Sequence, residues 1–378
     1  MSKRCGSTIE GLADYLGFSC QHANPVVTFR NPADLANWTL PILELTIIAG
    51  AVFALVHAVR RKRAGDPTNL ALWWASLVYL FVVEPPLYFP EWFGLQKSAG
   101  VVFVHNVFTV QFMFDRLPLY IVAIYPALSA LAYEIVRSLG VFQRRGPLLG
   151  GVCVALVYQA FYEVFDQLGP QLKWWAWNLD NVSNHPLFAS VPMNSIVLFA
   201  SVSSGFLTYM VARTVGRPTL AGHPPRGRSL LWRVVISGAL VPLAMIVGGL
   251  PTSVFGRAHP NLTGQAVVLS IELALLWLGG GAVLVQEWRR KRSSDDPPEA
   301  NQFVRVYPVV YLGILGMLWL TALPAFFDAV DGITKNGTPI GNGPYTLACF
   351  LLAATTIGAV FTARSPQRVS TPDEVRIG

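Results

Sequence analysis

The chain has 378 residues, of which 53% are hydrophobic and only 13% are charged, and its mean hydropathy is +0.46. About a quarter of the residues of a typical soluble protein are charged. So few charges cannot cover the surface of a soluble protein of this size, which excludes a disordered chain, a coiled coil and an ordinary globular enzyme. The composition therefore predicts an all-α fold, a polytopic bundle of membrane-spanning helices. The net charge is +7, and in such a protein the positions of the basic residues are more informative than their sum.

Nine apolar stretches are long enough to cross a membrane, because a hydrocarbon core of about 30 Å needs about 20 mostly apolar helical residues. The predicted spans are 39–59, 68–86, 116–138, 147–166, 191–213, 229–250, 264–286, 304–327 and 344–363. A further apolar stretch, 100–114, is short and contains His105, Asn106 and Gln111. We interpret it as a re-entrant or interfacial segment, with a tenth span as the alternative.

Basic clusters predict the orientation, because Lys and Arg are retained on the cytoplasmic side of a membrane. Residues 60–63 (RRKR) follow the first predicted span, and further basic clusters follow the third, fifth, seventh and ninth spans. This alternation predicts an N-terminus outside and a C-terminus in the cytoplasm, and a tenth span would break it. The predicted organisation is an extracytoplasmic segment 1–38, a membrane domain 39–363 and a cytoplasmic tail 364–378, in a multi-pass protein of the plasma membrane.

Cysteines and short motifs give little positive information. Cys5 and Cys20 precede the first predicted span and could form a disulfide if that region is extracytoplasmic. No spacing is typical of a metal site and no nucleotide-binding glycine loop occurs, so we predict neither a metal nor a cofactor. The basic clusters adjoin spans, which indicates contact with anionic membrane lipids and no nucleic-acid partner. The oligomeric state stays open.

Ionisable residues near the spans gather on one predicted side of the membrane. At membrane depth such a residue costs about 2.5–3.5 kcal/mol, which makes it a candidate functional residue. Those at the outer ends of spans or in outer connections include Glu84, Glu163, Asp166, Glu272, His105 and Asp115. Glu134 lies toward the cytoplasm, and we expect it to pair with Arg137 three residues later.

The fourth predicted span carries the densest polar group. Gln159, Glu163 and Asp166 recur at spacings of four and three, which places them on one helical face, with Tyr162 on the adjacent face. Two carboxyls this close cannot both ionise readily in a low-dielectric setting, so we expect one to stay protonated, as an acid catalyst requires. The alternative is that both carboxyls only solvate a helix end in interfacial water.

Aromatic residues follow the same span. Trp174-Trp175-Ala176-Trp177 is typical of an interfacial aromatic belt, which is the simpler interpretation. Aromatic faces also stabilise carbocations through the ring quadrupole, so Trp175 and Trp177 suit a site for an isoprenoid cation. Asn194, near the start of the fifth predicted span, is a polar group that must find a partner at membrane depth.

The segment 105–210 resembles the carotenoid hydratases of the bisanhydrobacterioruberin-hydratase type, which are polytopic membrane proteins. The elements that carry the resemblance, in order, are Leu117-Pro118-Leu119, Tyr125-Pro126-Ala127, Asp166, Pro170, Trp175-Ala176-Trp177 and Val191-Pro192-Met193-Asn194. The chain departs from the family's pattern at Ser195, where an aromatic residue is expected, and in a longer connection between the tryptophans and Asn194.

The resemblance implies acid-catalysed hydration of a terminal isoprenoid double bond without a cofactor. Asp166 or Glu163 would then be the acid, with Glu84 and Glu272 as further catalytic candidates. The substrate-binding candidates are Trp175, Trp177, Tyr162, Gln159, Asn194, His105 and Asp115. The implied partners are membrane lipids and a hydrophobic, isoprenoid-like substrate.

Two other functions stay open on the sequence alone, namely a transporter with an outward-facing polar cavity and a non-catalytic lipid-binding protein. Prolines within the spans, such as Pro126 and Pro308, and the run Gly279-Gly280-Gly281 could break helices as carriers often do. A carrier would place accessible acids on both sides of the bilayer, whereas the acids here favour one side.

Overall fold

The fold, taken from a computed structural model, is described for residues 6–20, 24–31, 37–97, 100–106, 110–256, 260–293 and 301–362. A short helix, α1 (Ser7–Leu16), comes first. Within these ranges nine further helices are long and apolar enough to cross a membrane. They are α2 (Thr39–Arg63), α3 (Thr68–Tyr88), α4 (Leu119–Ser138), α5 (Val141–Asp166), α6 (Ser195–Leu220), α7 (Gly227–Gly248), α8 (Leu262–Ser293), α9 (Gln302–Phe327) and α10 (Gly343–Thr362). The predicted polytopic helical bundle is confirmed, and its orientation in a membrane stays a prediction.

Two helices form the centre of the bundle. The apolar stretches of α4 and α5 are 89% and 83% buried inside the protein, whereas those of α7 to α10 are between 17% and 28% buried. α4 packs against α2, α3, α5 and α9, and α5 also packs against α6, α8 and α10. The outer helices expose many large apolar side chains, such as Leu278 and Leu320, which is the surface expected to face lipid.

Small residues allow some of the helices to approach closely. At Gly238 of α7, a Cβ atom would lie 2.7 Å from the Cβ atom of Val78 on α3. At Gly151 of α5, a Cβ atom would lie 2.8 Å from the carbonyl oxygen of Gly205 on α6. Packing of backbones over small residues is the usual way in which helices associate in membranes, where no hydrophobic force drives them together.

Short antiparallel strands cover one end of the bundle, which we call the cap end. The strands are β1 (Val27–Phe29), β2 (Phe103–His105), β3 (Val110–Phe112), β4 (Leu117–Pro118), β5 (Trp175–Trp177), β6 (Leu187–Phe188) and β7 (Val191–Pro192). They form three sheets, β1-β3-β4, β2-β5 and β6-β7. In the β2-β5 sheet His105 lies opposite Trp175. The opposite end of the bundle carries residues 60–63 and is called the basic end.

Strands replace the re-entrant or tenth spanning segment considered for 100–114. Strand β2 pairs with β5 and strand β3 pairs with β1 and β4, so these residues belong to the cap. The prediction of an all-α fold therefore holds for the bundle but is wrong for the cap. Its alternating β-branched and aromatic residues favour strands, but their partners lie far away in sequence.

The structure tests the predictions for the cysteines and for the chain ends only in part. Cys20 is buried and disulfide-bonded, and Cys5, its predicted partner, lies outside the described residues. Cys153 and Cys349 are buried and free. The predicted tail 364–378 lies wholly outside the described residues.

Candidate functional site

A cavity of about 570 Å³ lies at the cap end, between α3, α4, α5, α6, α7 and the strands of the cap. Its volume is within the range of about 300–1,000 Å³ that is usual for small-molecule sites. The lining is mostly apolar and aromatic. Seven of the eleven predicted site residues line it, namely Glu84, Asp166, Tyr162, Trp175, Trp177, His105 and Asn194.

Two buried carboxyls line this cavity from different helices. Glu84 of α3 is 3% exposed and accepts a hydrogen bond of 2.5 Å from the hydroxyl of Tyr125. Asp166, the last residue of α5, is 1% exposed and accepts a hydrogen bond of 2.9 Å from the hydroxyl of Ser195. The pairs form because α3 and α5 end, and α4 and α6 begin, at the cap end.

Each of these carboxyls also has one oxygen without a partner. Oε2 of Glu84 and Oδ1 of Asp166 are buried and accept no well-aligned hydrogen bond from any described residue, although the hydroxyl of Tyr88 interacts with the carboxyl of Glu84. Neither carboxyl forms an ion pair with any described residue. Buried polar atoms are nearly always satisfied in folded proteins, so each exception calls for an explanation. A ligand or an ordered water in the cavity would supply the missing partners.

Aromatic rings form two walls of the cavity. The ring centroid of Trp175 lies 4.6 Å from that of Phe165, and the ring centroid of Trp177 lies 5.5 Å from that of Phe103. On the other side Phe199 of α6 contacts two tyrosines, Tyr125 at 5.7 Å and Tyr162 at 5.4 Å between ring centroids.

The tryptophans behave differently from an interfacial belt. Trp174 and Trp175 are 0% and 2% exposed, so that interpretation is wrong for both of them. The indole N–H groups of Trp175 and Trp177 have no hydrogen-bond partner among the described residues. The lining of the cavity therefore contains two unpartnered hydrogen-bond donors as well as two unpartnered carboxyl oxygens.

His105 lies on β2 in a cage of aromatic rings. Its nearest ring is that of Phe103, at 4.8 Å between centroids, and the rings of Tyr88, Tyr120 and Trp175 also contact it. Burial lowers the pKa of His105 to about 3. The imidazole is therefore neutral near neutral pH and acts as a polar, uncharged part of the wall.

Asn194 holds the loop that borders the cavity. Its side-chain nitrogen donates to the backbone carbonyl of Ser183 at 3.1 Å and to that of His185 at 3.4 Å. The amide nitrogen is thus committed to the protein backbone. Asn194 is followed by a wide π-helical stretch, Ser195–Ser203, and such stretches occur frequently at functional sites.

Two predicted site residues of α5 face away from the cavity. Gln159 hydrogen-bonds the hydroxyl of Tyr345 on α10, and its side-chain oxygen accepts from Trp277 on α8 at 3.1 Å. Glu163 is fully buried and accepts a hydrogen bond of 3.0 Å from Gln167. Neither residue lines the cavity, so the predicted shared face delivers only Asp166 to it.

Two further predicted residues lie elsewhere. Glu272 lines a separate groove between α5, α6 and α8, where its Oε2 atom has no hydrogen-bond partner in the described part of the chain. Asp115 lies in the cap, where burial raises its pKa although Thr28 and Arg30 act in the opposite direction. Neither Glu272 nor Asp115 lines the cap-end cavity, so the structure does not bring these side chains together with Asp166.

Four further residues that line the cavity, Tyr125, Ser195, Phe103 and Phe199, are not among the site residues predicted from the sequence, although Tyr125 and Ser195 lie in the segments compared with the carotenoid hydratases. Ser195 could have been found, because it directly follows Asn194 at the start of its helix. The two phenylalanines give no comparable signal, since the chain has 22 of them.

No protein-family model, curated protein or solved structure matches this chain. The resemblance to carotenoid hydratases therefore rests on the quoted residues alone, and function must be argued from the cavity.

Proposed function

We propose that this chain is a membrane enzyme that adds water to a double bond of a hydrophobic, isoprenoid-like lipid in the cap-end cavity. The observation that supports the proposal most is the pair of buried carboxyls, Glu84 and Asp166, each with an unpartnered oxygen and without an ion-pair partner among the described residues. A buried carboxyl that lacks a cationic partner favours its protonated form, which is the form that can donate a proton.

A lipid substrate is favoured by the way in which the cavity reaches the surface. Ile246 and Leu250 line the cavity at the end of α7, yet they are 63% and 51% exposed. The cavity therefore extends to an apolar side of the bundle, the surface expected to contact the acyl chains. An isoprenoid chain could enter from the bilayer without passing through water.

Asp166 is the proposed proton donor. Its carboxyl proton and the π electrons of the alkene form a new C–H bond, which leaves a tertiary carbocation and the carboxylate of Asp166. The faces of Trp175 and Tyr162 stabilise the cation through their quadrupoles. The oxygen of a water molecule then bonds to the cationic carbon, and the proton that this water loses returns to a carboxylate of the site. Atoms and charge balance as the net addition of one water.

Glu84 is the proposed second carboxyl of the reaction. The hydroxyl of Tyr125 fixes one of its oxygens, which leaves the other to hold the attacking water. Two carboxyls with separate tasks in one site are familiar from enzymes that hydrolyse glycosidic bonds. A carrier or a non-catalytic lipid-binding protein would use the same cavity without any change in the lipid.

The test is mass spectrometry of lipid extracts from cells that express the gene or lack it. We expect an isoprenoid product heavier than its precursor by one water, and we expect Asp166→Asn to reduce it at least about a hundredfold, the usual contribution of general acid catalysis. The amide can still accept the hydrogen bond from Ser195, so the fold should persist.

Asp328→Asn is the matched control, because Asp328 lies at the same end of the bundle, is 59% exposed and pairs with Lys335 away from the cavity. This control should leave the product unchanged. If no lipid in the cell differs by one water, or if Asp166→Asn leaves the product unchanged, the proposed hydration is wrong. A lipid that binds the protein unchanged would instead indicate a carrier or a binding protein.

A further inference from the structure

A second cavity, of about 450 Å³, lies at the basic end, far along the bundle from the cap. It is bordered by the ends of α2, α4 and α6 and by the starts of α3 and α5. Its lining contains five arginines, namely Arg61, Arg137, Arg144, Arg145 and Arg217. Asp66 is the only acidic residue in the described lining.

Buried carboxylates outside the lining hold three of these arginines in place. Glu134 is 0% exposed and accepts two hydrogen bonds of 3.0 Å from Arg137, as the sequence predicted for this pair. Glu287 is 1% exposed and pairs with Arg144 at 3.1 Å and with Arg145 at 2.7 Å. The guanidinium groups are thus fixed before any ligand arrives, which lowers the entropic cost of binding one.

Two arginines keep donors that the protein does not use. Arg61 pairs with Asp66 at 2.6 Å through one terminal nitrogen, while its Nε atom is buried and has no hydrogen-bond partner within the ranges that the structure describes. Arg217 forms no ion pair with any residue in the described part of the chain. The carboxylates are fewer than the arginines that they serve, so the cavity keeps an excess of positive charge.

The backbone also favours an anion here. Gly146 has a φ of 77° and breaks α5, and the long helical segment that resumes at Pro147 begins beside the cavity. The start of a helix carries a partial positive charge and unsatisfied N–H groups, and is a common anion-binding position.

We propose that the basic-end cavity binds a phosphate or diphosphate group, either as a free anion or as the headgroup of a lipid. Guanidinium groups that approach from several elements match the several oxygens of a phosphate, which accept paired hydrogen bonds. The rule that basic residues face the cytoplasm explains why these side chains are positively charged. It does not explain why they converge on one cavity. The proposal does not depend on the reaction proposed for the cap end.

The first arm of the test uses pyrophosphate and the full chain, purified in a neutral detergent. We expect saturable binding by calorimetry, which Arg217→Gln and Arg61→Gln each weaken at least about tenfold, as expected for lost hydrogen bonds to a charged group. Arg213→Gln is the matched control, because Arg213 lies one helical turn before Arg217 and is exposed like Arg217, but does not line the cavity. Its effect should be less than about twofold.

The second arm uses nanodiscs of phosphatidylcholine with or without phosphatidic acid. If the ligand is a lipid headgroup, native mass spectrometry will show phosphatidic acid retained by the unaltered chain and by Arg213→Gln, and lost from Arg217→Gln. Retention of pyrophosphate alone identifies a soluble ligand. If Arg217→Gln changes neither probe, or if Arg213→Gln weakens binding equally, the proposed site is wrong. Thermal unfolding of each variant checks that the fold persists, which is expected for Arg217→Gln since the Arg217 side chain forms no ion pair with any described residue.

Discussion

The carboxyls of Asp166 and Glu163 are three residues apart on α5, but they have different neighbours. Asp166 contacts Ser195 at the start of α6 and lines the cap-end cavity. Glu163 turns toward Gln167 and away from that cavity. Chemistry at the cavity should therefore depend on one of these two acids and tolerate a neutral substitute for the other.

We expect the Glu163→Gln variant to form the hydrated lipid at a level within about threefold of that of the unaltered chain. The substitution removes no group that touches substrate. The oxygen of the new amide can still accept the hydrogen bond from Gln167. The same lipid extracts that test Asp166→Asn measure this outcome. An equal loss of product in both variants would show that Glu163 takes part in the reaction.

His105 should make the stability of the cap depend on pH. Burial lowers its pKa from 6.5 to about 3, so below about pH 6.5 the unfolded chain binds a proton that the folded chain excludes. The contribution of His105 to stability is complete above that pH and falls toward pH 3 by up to about 1.4 kcal/mol per unit. The apparent melting temperature should therefore drop between about pH 7 and about pH 5.

The variant His105→Gln isolates this contribution from those of the carboxyls that titrate in the same range. Glutamine stays neutral, so we expect the melting temperature of the variant to fall less steeply over the same pH interval. Parallel curves for the two proteins would mean that His105 is accessible to protons in the folded state.

At the scale of elements, the contact between α3 and α7 positions one side of the cavity. Gly238 allows α7 to lie against the backbone of α3, so that Met245 and Ile246 reach the cavity near Glu84. Gly238→Leu would force the two helices apart, and overpacking of this kind costs about 1–3 kcal/mol. We expect a lower melting temperature and weaker retention of lipid.

Gly281→Leu is the control for this change, because nothing lies within 4 Å of a Cβ atom at Gly281 on α8. It should change the melting temperature little. If the two glycine variants melt alike, the close approach of α3 and α7 contributes nothing to stability.

The helices could be predicted from the sequence because hydropathy is a local signal. The strands of the cap could not, because β2 has three residues and its partner, β5, lies about seventy positions later in the chain. A segment this short acquires its structure from long-range pairing. For the candidate site, the sequence singled out Asp166 and Glu84 by their positions at the ends of spans, and both line the cap-end cavity. The sequence left the direction of Glu272 open, because the direction in which a side chain of α8 points depends on the neighbours of that helix.

At the scale of the whole molecule, the two cavities lie at opposite ends of one bundle and differ in charge. The cap-end cavity combines unpaired acids with aromatic walls, and the basic-end cavity collects arginines. Disulfides persist in oxidising compartments. Cys20 is disulfide-bonded and lies at the cap end of the bundle. Both features favour an external cap and a cytoplasmic basic end.

This orientation predicts which positions a membrane-impermeant maleimide reaches in intact cells. Asp180→Cys places a thiol in an exposed loop of the cap, and Ser293→Cys places one at the exposed end of α8 beside the basic cluster. We expect the first thiol to be labelled in intact cells and the second only after permeabilisation, because basic segments are retained in the cytoplasm. The native background should be low, since Cys153 and Cys349 are buried. Labelling in the reverse order would place the arginine cavity outside the cell, where cytoplasmic phosphate compounds could not reach it.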